Sequence, residues 1–322
     1  MSALVSVFCL AYNHEDYIRR ALDSMVCQET DFEYEIFVHD DASTDRTAEI
    51  LREYEARYPD KIHGYYETVN QYNNPDLHFT RDLLVPLSSG EFFAFCECDD
   101  SWEDPHKLQR QADFLRAHPE YTMCVHTAYN HVVGTDESED TVYPAITEDR
   151  DYEADEIIRS GAGLFATNSF MIRREAYVDP PDCFRMQDLS DYTILMYAAF
   201  QGKIRCLKET MSRHNEGVKN SWTVRIWNDP EKHVAHQKAM VKLLQGIDTY
   251  YEGKYHEAFA DTAAAREADI LWTEFNIALK NNDRDELKKE KYGDLLKKYR
   301  FRIFLNEKLP WLVRLKHKII KD

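Results

Sequence analysis

At 322 residues, 43% of them hydrophobic and 13% aromatic, the chain can bury a full α/β core and carry a further module, which excludes a disordered or low-complexity protein. A formal net charge of −18 argues against a body that binds nucleic acid nonspecifically. No apolar stretch reaches transmembrane length, and the start Met-Ser-Ala-Leu-Val lacks a charged leader region, so no leader is expected. Seven cysteines without a regular framework fit a reducing compartment, and the cytosol is the expected location.

Leu4 to Leu10 is a continuous apolar run with β-branched residues, bounded by Tyr12-Asn13-His14, and reads as a fully buried strand. From Glu15 to Cys27 the apolar residues Tyr17, Ile18, Ala21, Leu22, Met25 and Val26 fall at helical spacing. Tyr34 to His39 is a second strand ending in Asp40-Asp41, after which Ser43 or Thr44 caps a helix that turns Ile50, Leu51 and Tyr54 inward. Ile62 to Tyr66 is a short third strand, and residues 68–82 are loop-like. Phe92 to Cys96 is a fourth strand, and Asp104-Pro105 opens a helix that stops near Pro119. Thr122 to Val133 follows as a strand, residues 134–155 as an acidic irregular loop, Phe165 to Ile172 as a strand, and Ser190 to Phe200 as a helix opened by Asp188 or Ser190. Beyond about Trp227 the chain turns helical, with amphipathic segments beginning at Val234 and at Ala258. Strands alternating with helices over the first 120 residues predict a Rossmann-like, mostly parallel sheet.

The segment Phe92-Phe93-Ala94-Phe95-Cys96-Glu97-Cys98-Asp99-Asp100-Ser101-Trp102 carries the most chemistry. An apolar run ends in three carboxylates within four positions. Burying unpaired carboxylates costs several kcal/mol, so they belong where the strand emerges into a cleft, the edge at which open α/β sheets bind ligands. Clustered oxygen ligands there suit Mg²⁺ or Mn²⁺ carrying a substrate diphosphate. Cys96-x-Cys98 is not expected to make a zinc chelate, because no second Cys pair follows. The first glycine is Gly64, so neither a dinucleotide fingerprint nor a phosphate loop follows the first strand; a metal on Glu97, Asp99 and Asp100 would supply the missing counter-charge.

Val5-Ser6-Val7 through Ala11-Tyr12-Asn13, then His39-Asp40-Asp41-Ala42-Ser43-Thr44-Asp45, then Gly90-Glu91-Phe92 through Trp102 and Pro105-His-Lys107-Leu108-Gln109, resemble family 2 glycosyltransferases of the GT-A fold over roughly residues 4–120. The resemblance implies an inverting, metal-dependent transferase using Mn²⁺ or Mg²⁺, a nucleoside diphosphate sugar (a UDP-sugar by family frequency) and an acceptor hydroxyl on a glycan or lipid-linked glycan, as in polysaccharide and cell-envelope biosynthesis. It implies that Asp40 or Asp41 accepts a hydrogen bond from the nucleotide base, with Tyr12 and Asn13 beside that base. Glu97-Cys98-Asp99 occupies the family's Asp-x-Asp site, with Glu in place of the first Asp; Asp99 is the expected direct ligand, with Glu97 on metal or ribose and Asp100 as neighbour. The base expected before a helix falls in Met186-Gln187-Asp188-Leu189-Ser190-Asp191-Tyr192, where Asp191 matches best and Asp188 is the reserve, although the family's Glu-Asp pair is absent. His214 matches a late position that ligates metal, Arg213 an alternative phosphate contact, and Asn168-Ser169 a lining for the acceptor pocket.

The expected organisation is a GT-A domain over 1–226, with a nucleotide-sugar half at 1–120 and an acceptor half at 121–226, then a helical region at 227–322. From Lys288 onward twelve Lys and Arg face four Asp and Glu among aromatic and aliphatic residues, a pattern of a peripheral membrane contact or of a docked amphipathic helix. Two other functions fit parts of the pattern: an inactive carbohydrate- or membrane-binding module on a transferase scaffold, and a nucleotidyltransferase. Retention of every acidic position opposes the first. The second would place a Gly-rich basic loop where this chain has Asn13-His14-Glu15-Asp16.

Overall fold

The computed structural model describes residues 3–72, 74, 77–161, 163–184, 191–219 and 221–298. Asp188 and residues 299–322 of the basic tail lie outside the described residues. Two compact units emerge: one comprises residues 1–219 and 247–259, the other 220–246 and 260–322.

The first unit is built on a sheet of strands β1 (Val5–Ala11), β2 (Tyr34–Asp40), β3 (Ile62–Tyr66), β4 (Phe92–Phe95), β5 (Ser101–Trp102), β6 (Tyr121–Val132), β7 (Thr141–Tyr143), β8 (Arg150–Tyr152), β9 (Met171–Arg173) and β10 (Lys203–Glu216). The order along the sheet is β3-β2-β1-β4-β9-β6-β10-β5, with β7 added to β6 and β8 to β10. β1 is parallel to both β2 and β4, Ala11 opposite Asp40 and Phe8 opposite Phe95, so three carboxyl ends share one edge. Helices α1 (Ile18–Val26), α2 (Thr47–Arg57) and α3 (Lys107–Ala117) cover this half through Ile18, Leu22, Met25, Ile50, Leu51, Leu108 and Leu115, packed on Val5, Val7, Ile36 and Val38. α4 (Ala154–Ser160) and α5 (Asp191–Gln201) belong to the second half of the unit. This is the GT-A architecture expected from the sequence. Gly90 allows close approach of β1 and β4, since a Cβ there would stand 2.5 Å from the Ser6 backbone nitrogen.

Several expectations are corrected. The stretch 134–155 contains a 3₁₀ turn at Glu137–Glu139 and the strands β7 and β8, which are short and polar and exist because β6 and β10 offer them partners. The strand expected at Phe165–Ile172 is confined to Met171–Arg173, since Thr167–Ser169 wind into a 3₁₀ turn. The loop at 68–82 ends in a π-helical turn, Phe79–Leu84. α2 carries no Ser43 or Thr44 cap. Instead Asp45 Oδ1 accepts from the Thr47 amide at 2.9 Å, while Ser43 and Thr44 bond Asn13. The 14-residue β10 was not anticipated; only its first half, around Ile204 and Cys206, alternates apolar with polar.

Beyond β10, α6 (Trp222–Trp227) precedes α7 (Pro230–Tyr250), and α8 (His256–Asn281) follows; residues 220–246 and 260–281 of this stretch belong to the second unit. Within it His233 bonds Asp269 at 2.6 Å, and Glu274 pairs with Lys238 and Lys291. Among the described residues no helix is long and apolar enough to cross a membrane.

Lys107 stiffens the start of α3. It is fully buried, donates from Nζ to Gln111 Oε1 at 2.8 Å and lies 4.3 Å from the Trp102 ring centroid. Burial pulls its ammonium down to about 7. Above that value, and up to the ordinary Lys range, the unfolded chain holds a proton that the folded chain lacks, so this group makes stability rise with pH. Lys107→Met should flatten that rise by up to about 1.4 kcal/mol per pH unit between about pH 7 and about pH 9. Denaturant melts at the two pH values check it, and parallel wild-type and variant lines would show that Lys107 stays charged.

Candidate active site

The edge is assembled from three loops. After β1, Asn13 takes a left-handed conformation (φ 58°), its amide donates to Ser43 Oγ at 2.9 Å, and its Oδ1 accepts from the Thr44 amide at 2.8 Å. The His14 amide donates to Thr47 Oγ1, and Glu15 and Asp45 exchange similar bonds with the facing backbone. Asp40 and Asp41 at the end of β2 are buried. Asp41 Oδ1 accepts from the Gln71 amide at 2.7 Å and its carboxyl is raised by burial, whereas Asp40 Oδ1 has no partner. Tyr12 is half-buried beside them.

Beyond β4 the three carboxylates separate into two roles. Asp100 is 4% exposed and its oxygens are committed: Oδ2 accepts from Asn168 Nδ2 at 2.9 Å and lies 3.1 Å from His214 Nδ1, and Oδ1 accepts from the Asn215 amide at 2.9 Å. Glu97 and Asp99 lack such partners. Glu97 Oε2 is buried and unbonded, and its carboxyl is pushed up to about 8 by burial and then by Asp100 and Asp99. Asp99 is raised by burial against the opposing effect of His14, whose Nε2 stands 3.8 Å away. Burial alone would lower His214, but Asp100, with Asp99 and Glu97, outweighs it and raises the imidazole to about 9. Cys98 Sγ meets Cys9 Sγ at 2.7 Å while Cys96 Sγ faces the Glu97 carbonyl, so the two thiols do not form a chelate.

β10 delivers the distant part of the site. Its register shifts past Leu207 and Thr210, after which Ser212 and Arg213 pair with Trp102 and Ser101 of β5 and His214 pairs with Asn130 of β6. Arg213 is buried among Asp140, Glu103 at 3.3 Å and Glu137 at 3.5 Å; Arg20 of α1 meets Glu103 and Glu137 at 3.0 Å each. Asp191 opens α5. Its Oδ1 accepts from the Tyr192 amide at 2.7 Å, and its carboxyl is raised by burial, opposed by that bond and by His214. The Tyr143 ring stands 6.4 Å from the His214 ring, and Asp191 is one of the charges that push its hydroxyl upward. The structure thus brings Glu97, Asp99, Asp100, His214 and Asp191 into one electrostatic cluster, with Asp40 and Asp41 on the same sheet edge. Asn168 is fully buried. His14, Tyr143 and Asn215 escaped the sequence reading; only His14, directly after a buried strand, carried a local signal.

A cavity of about 220 Å³ opens against Asp99 and Asp100, lined also by Asp16, Arg20, His131 and Asn215. A larger recess of about 460 Å³ at the opposite ends of β1 and β4 offers only Glu91 and an Arg174 already bonded to the Ser88 and Gly90 carbonyls. The acidic edge lies at the smaller one. Among the described residues no three His, Cys, Asp or Glu side chains converge as a metal cage. The donor chemistry nevertheless fits a hard cation at Glu97 and Asp99, because both supply carboxyl oxygens and one buried oxygen has no partner.

A sheet of this topology, flanked by helices, is the GT-A architecture of glycosyltransferases. The chain belongs to glycosyl transferase family 2, whose model matches residues 6–179. It is 34% identical over 220 residues to an uncharacterized protein of Mycobacterium tuberculosis, covering 67% of this chain and 61% of that protein, so the match spans about three-fifths of that relative. It is 30% identical over 215 residues to an uncharacterized glycosyltransferase of Nostoc, covering 65% of this chain and 63% of that protein. Among solved structures it is similar to residues 1–349 of S. aureus TarS in complex with UDP-GlcNAc, with a TM-score of 0.57 and 19% identity over 77% of this chain and 67% of that chain. That likeness concerns the fold.

Proposed function

We propose that the enzyme transfers a sugar, with inversion, from a nucleoside diphosphate donor to a hydroxyl of a glycan or lipid-linked glycan. The observation that carries this reading is the Glu97/Asp99 edge, with its buried and unbonded Glu97 Oε2, together with a further raised carboxylate, Asp191, in the electrostatic range of His214. A UDP-sugar is the favoured donor, since the similar TarS structure holds UDP-GlcNAc. Glu97 and Asp99 would hold a divalent cation, Mn²⁺ or Mg²⁺, which when bound neutralises the donor diphosphate. Asp40 or Asp41 receives a nucleobase N–H, with Tyr12 and Asn13 alongside. In the transfer the acceptor oxygen forms a bond to the anomeric carbon as the bond to the diphosphate breaks, and the acceptor proton passes to Asp191. His214 and, if its carboxylate partners give way, Arg213 are the cations on the leaving-group side.

The test is release of UDP from a panel of UDP-sugars with Mn²⁺, together with calorimetry of UDP binding. Asp41→Ala should raise the UDP dissociation constant by about tenfold, the worth of one charge-assisted hydrogen bond. Unchanged affinity would hand the base contact to Asp40. No UDP release from any donor would favour a binding module on this scaffold.

A further inference from the structure

Asn168 lies on a 3₁₀ turn between α4 and β9, is fully buried and uses both polar groups of its side chain. Its Nδ2 donates to Asp100 Oδ2 and to the Arg213 carbonyl, both at 2.9 Å; its Oδ1 accepts from Ser212 Oγ at 2.6 Å; its carbonyl accepts from Trp102 Nε1 at 2.9 Å. One amide therefore ties the acidic loop after β4 to the last third of β10. Asp100 passes the constraint on, holding the His214 ring through Oδ2 and the Asn215 amide through Oδ1, while Asn215 Nδ2 donates back to the Asp99 carbonyl. A carboxylate with two bonded oxygens cannot rotate freely, so the ring it holds is kept beside the acidic edge.

We propose that Asn168 is a positioning residue: through Asp100 it fixes His214 and Asn215 against Asp99, and Asp100 acts as that connector. The role in turnover rests on the glycosyl-transfer reading above; the positioning itself does not. In the full chain labelled with ¹⁵N-histidine, the His214 Nδ1–H resonance, assigned by its absence in His214→Gln, reports the bond to Asp100 directly. Asn168→Leu keeps the branched outline of the side chain and removes both Nδ2 bonds. It should shift that resonance toward that of a solvent-exposed histidine, or lose it to exchange, and turnover should fall by about 10–100-fold. A merely structural Asn168 would lower the melting temperature and leave the resonance in place. Should Asn168→Leu fail to fold, Ser212→Ala, which removes only the hydroxyl that orients the amide, carries the same test. An unchanged resonance in a folded variant overturns the proposal whatever happens to turnover. An altered resonance in a protein that releases no UDP sustains the positioning role and counts against glycosyl transfer alone.

Discussion

Asp191→Asn should bind a UDP-sugar with Mn²⁺ as the wild type does and transfer it at least about a hundredfold more slowly, the lower end of what a general base contributes. The substitution is nearly isosteric, and the amide oxygen can still accept the Tyr192 N–H that Asp191 Oδ1 accepts at 2.7 Å, so the start of α5 should persist. What disappears is the capacity to take a proton. Burial raises this carboxyl, which makes it a stronger base, and the Tyr192 bond and His214 oppose the rise. Loss of a group that acts only as the acceptor hydroxyl is deprotonated falls on kcat and leaves donor affinity alone. Calorimetry for binding and a single-turnover assay for transfer separate the two. Asp188→Asn should be milder; collapse there with normal transfer in Asp191→Asn would move the base three residues upstream. Normal transfer in both would remove this segment from the mechanism.

Asp99→Ala should abolish metal-dependent turnover without loss of the fold, and Glu97→Ala should do so less completely. Three carboxylates within four residues repel one another, and burial raises both Glu97 and Asp99. Deleting one without metal present relieves repulsion, so the melting temperature should hold or rise. With Mn²⁺ added the order reverses: the wild type gains stability by mass action on the folded state and the variant does not. The comparison of melting curves with and without Mn²⁺ is independent of any assay of transfer. Wild-type turnover that survives EDTA, or full activity in Asp99→Ala, would show that the edge works without a cation. Asp100→Asn should behave differently from Asp99→Ala, because Asp100 is bonded to Asn168, His214 and Asn215 rather than left bare.

The division of labour among the three carboxylates shows how far sequence can be read here. That Glu97, Asp99 and Asp100 emerge from a buried strand is legible in Phe92-Phe93-Ala94-Phe95, four consecutive fully enclosed positions. Which of the three stays bare is not legible, because Asp100 is claimed by residues 68, 114 and 115 positions away. Likewise Ser43 looks like a helix cap by residue type, yet it serves the Asn13 amide, a partner that exists only once β1 and β2 lie side by side.

By itself the sequence determined the first half of the sheet, the helices that cover it and the acidic edge, because burial of apolar side chains at a period of two or 3.6 is a local, short-range signal. It also determined the two long helices after residue 230 by the same periodicity. Tertiary structure alone decided β10, β7 and β8, whose polar faces carry no burial period and whose backbone groups find partners only in other strands. It decided through them that His214 reaches Asp100 and that Arg213 is enclosed by carboxylates. A strand that turns polar as it approaches a site is shaped by the partners it meets there, and those partners are not its neighbours in sequence.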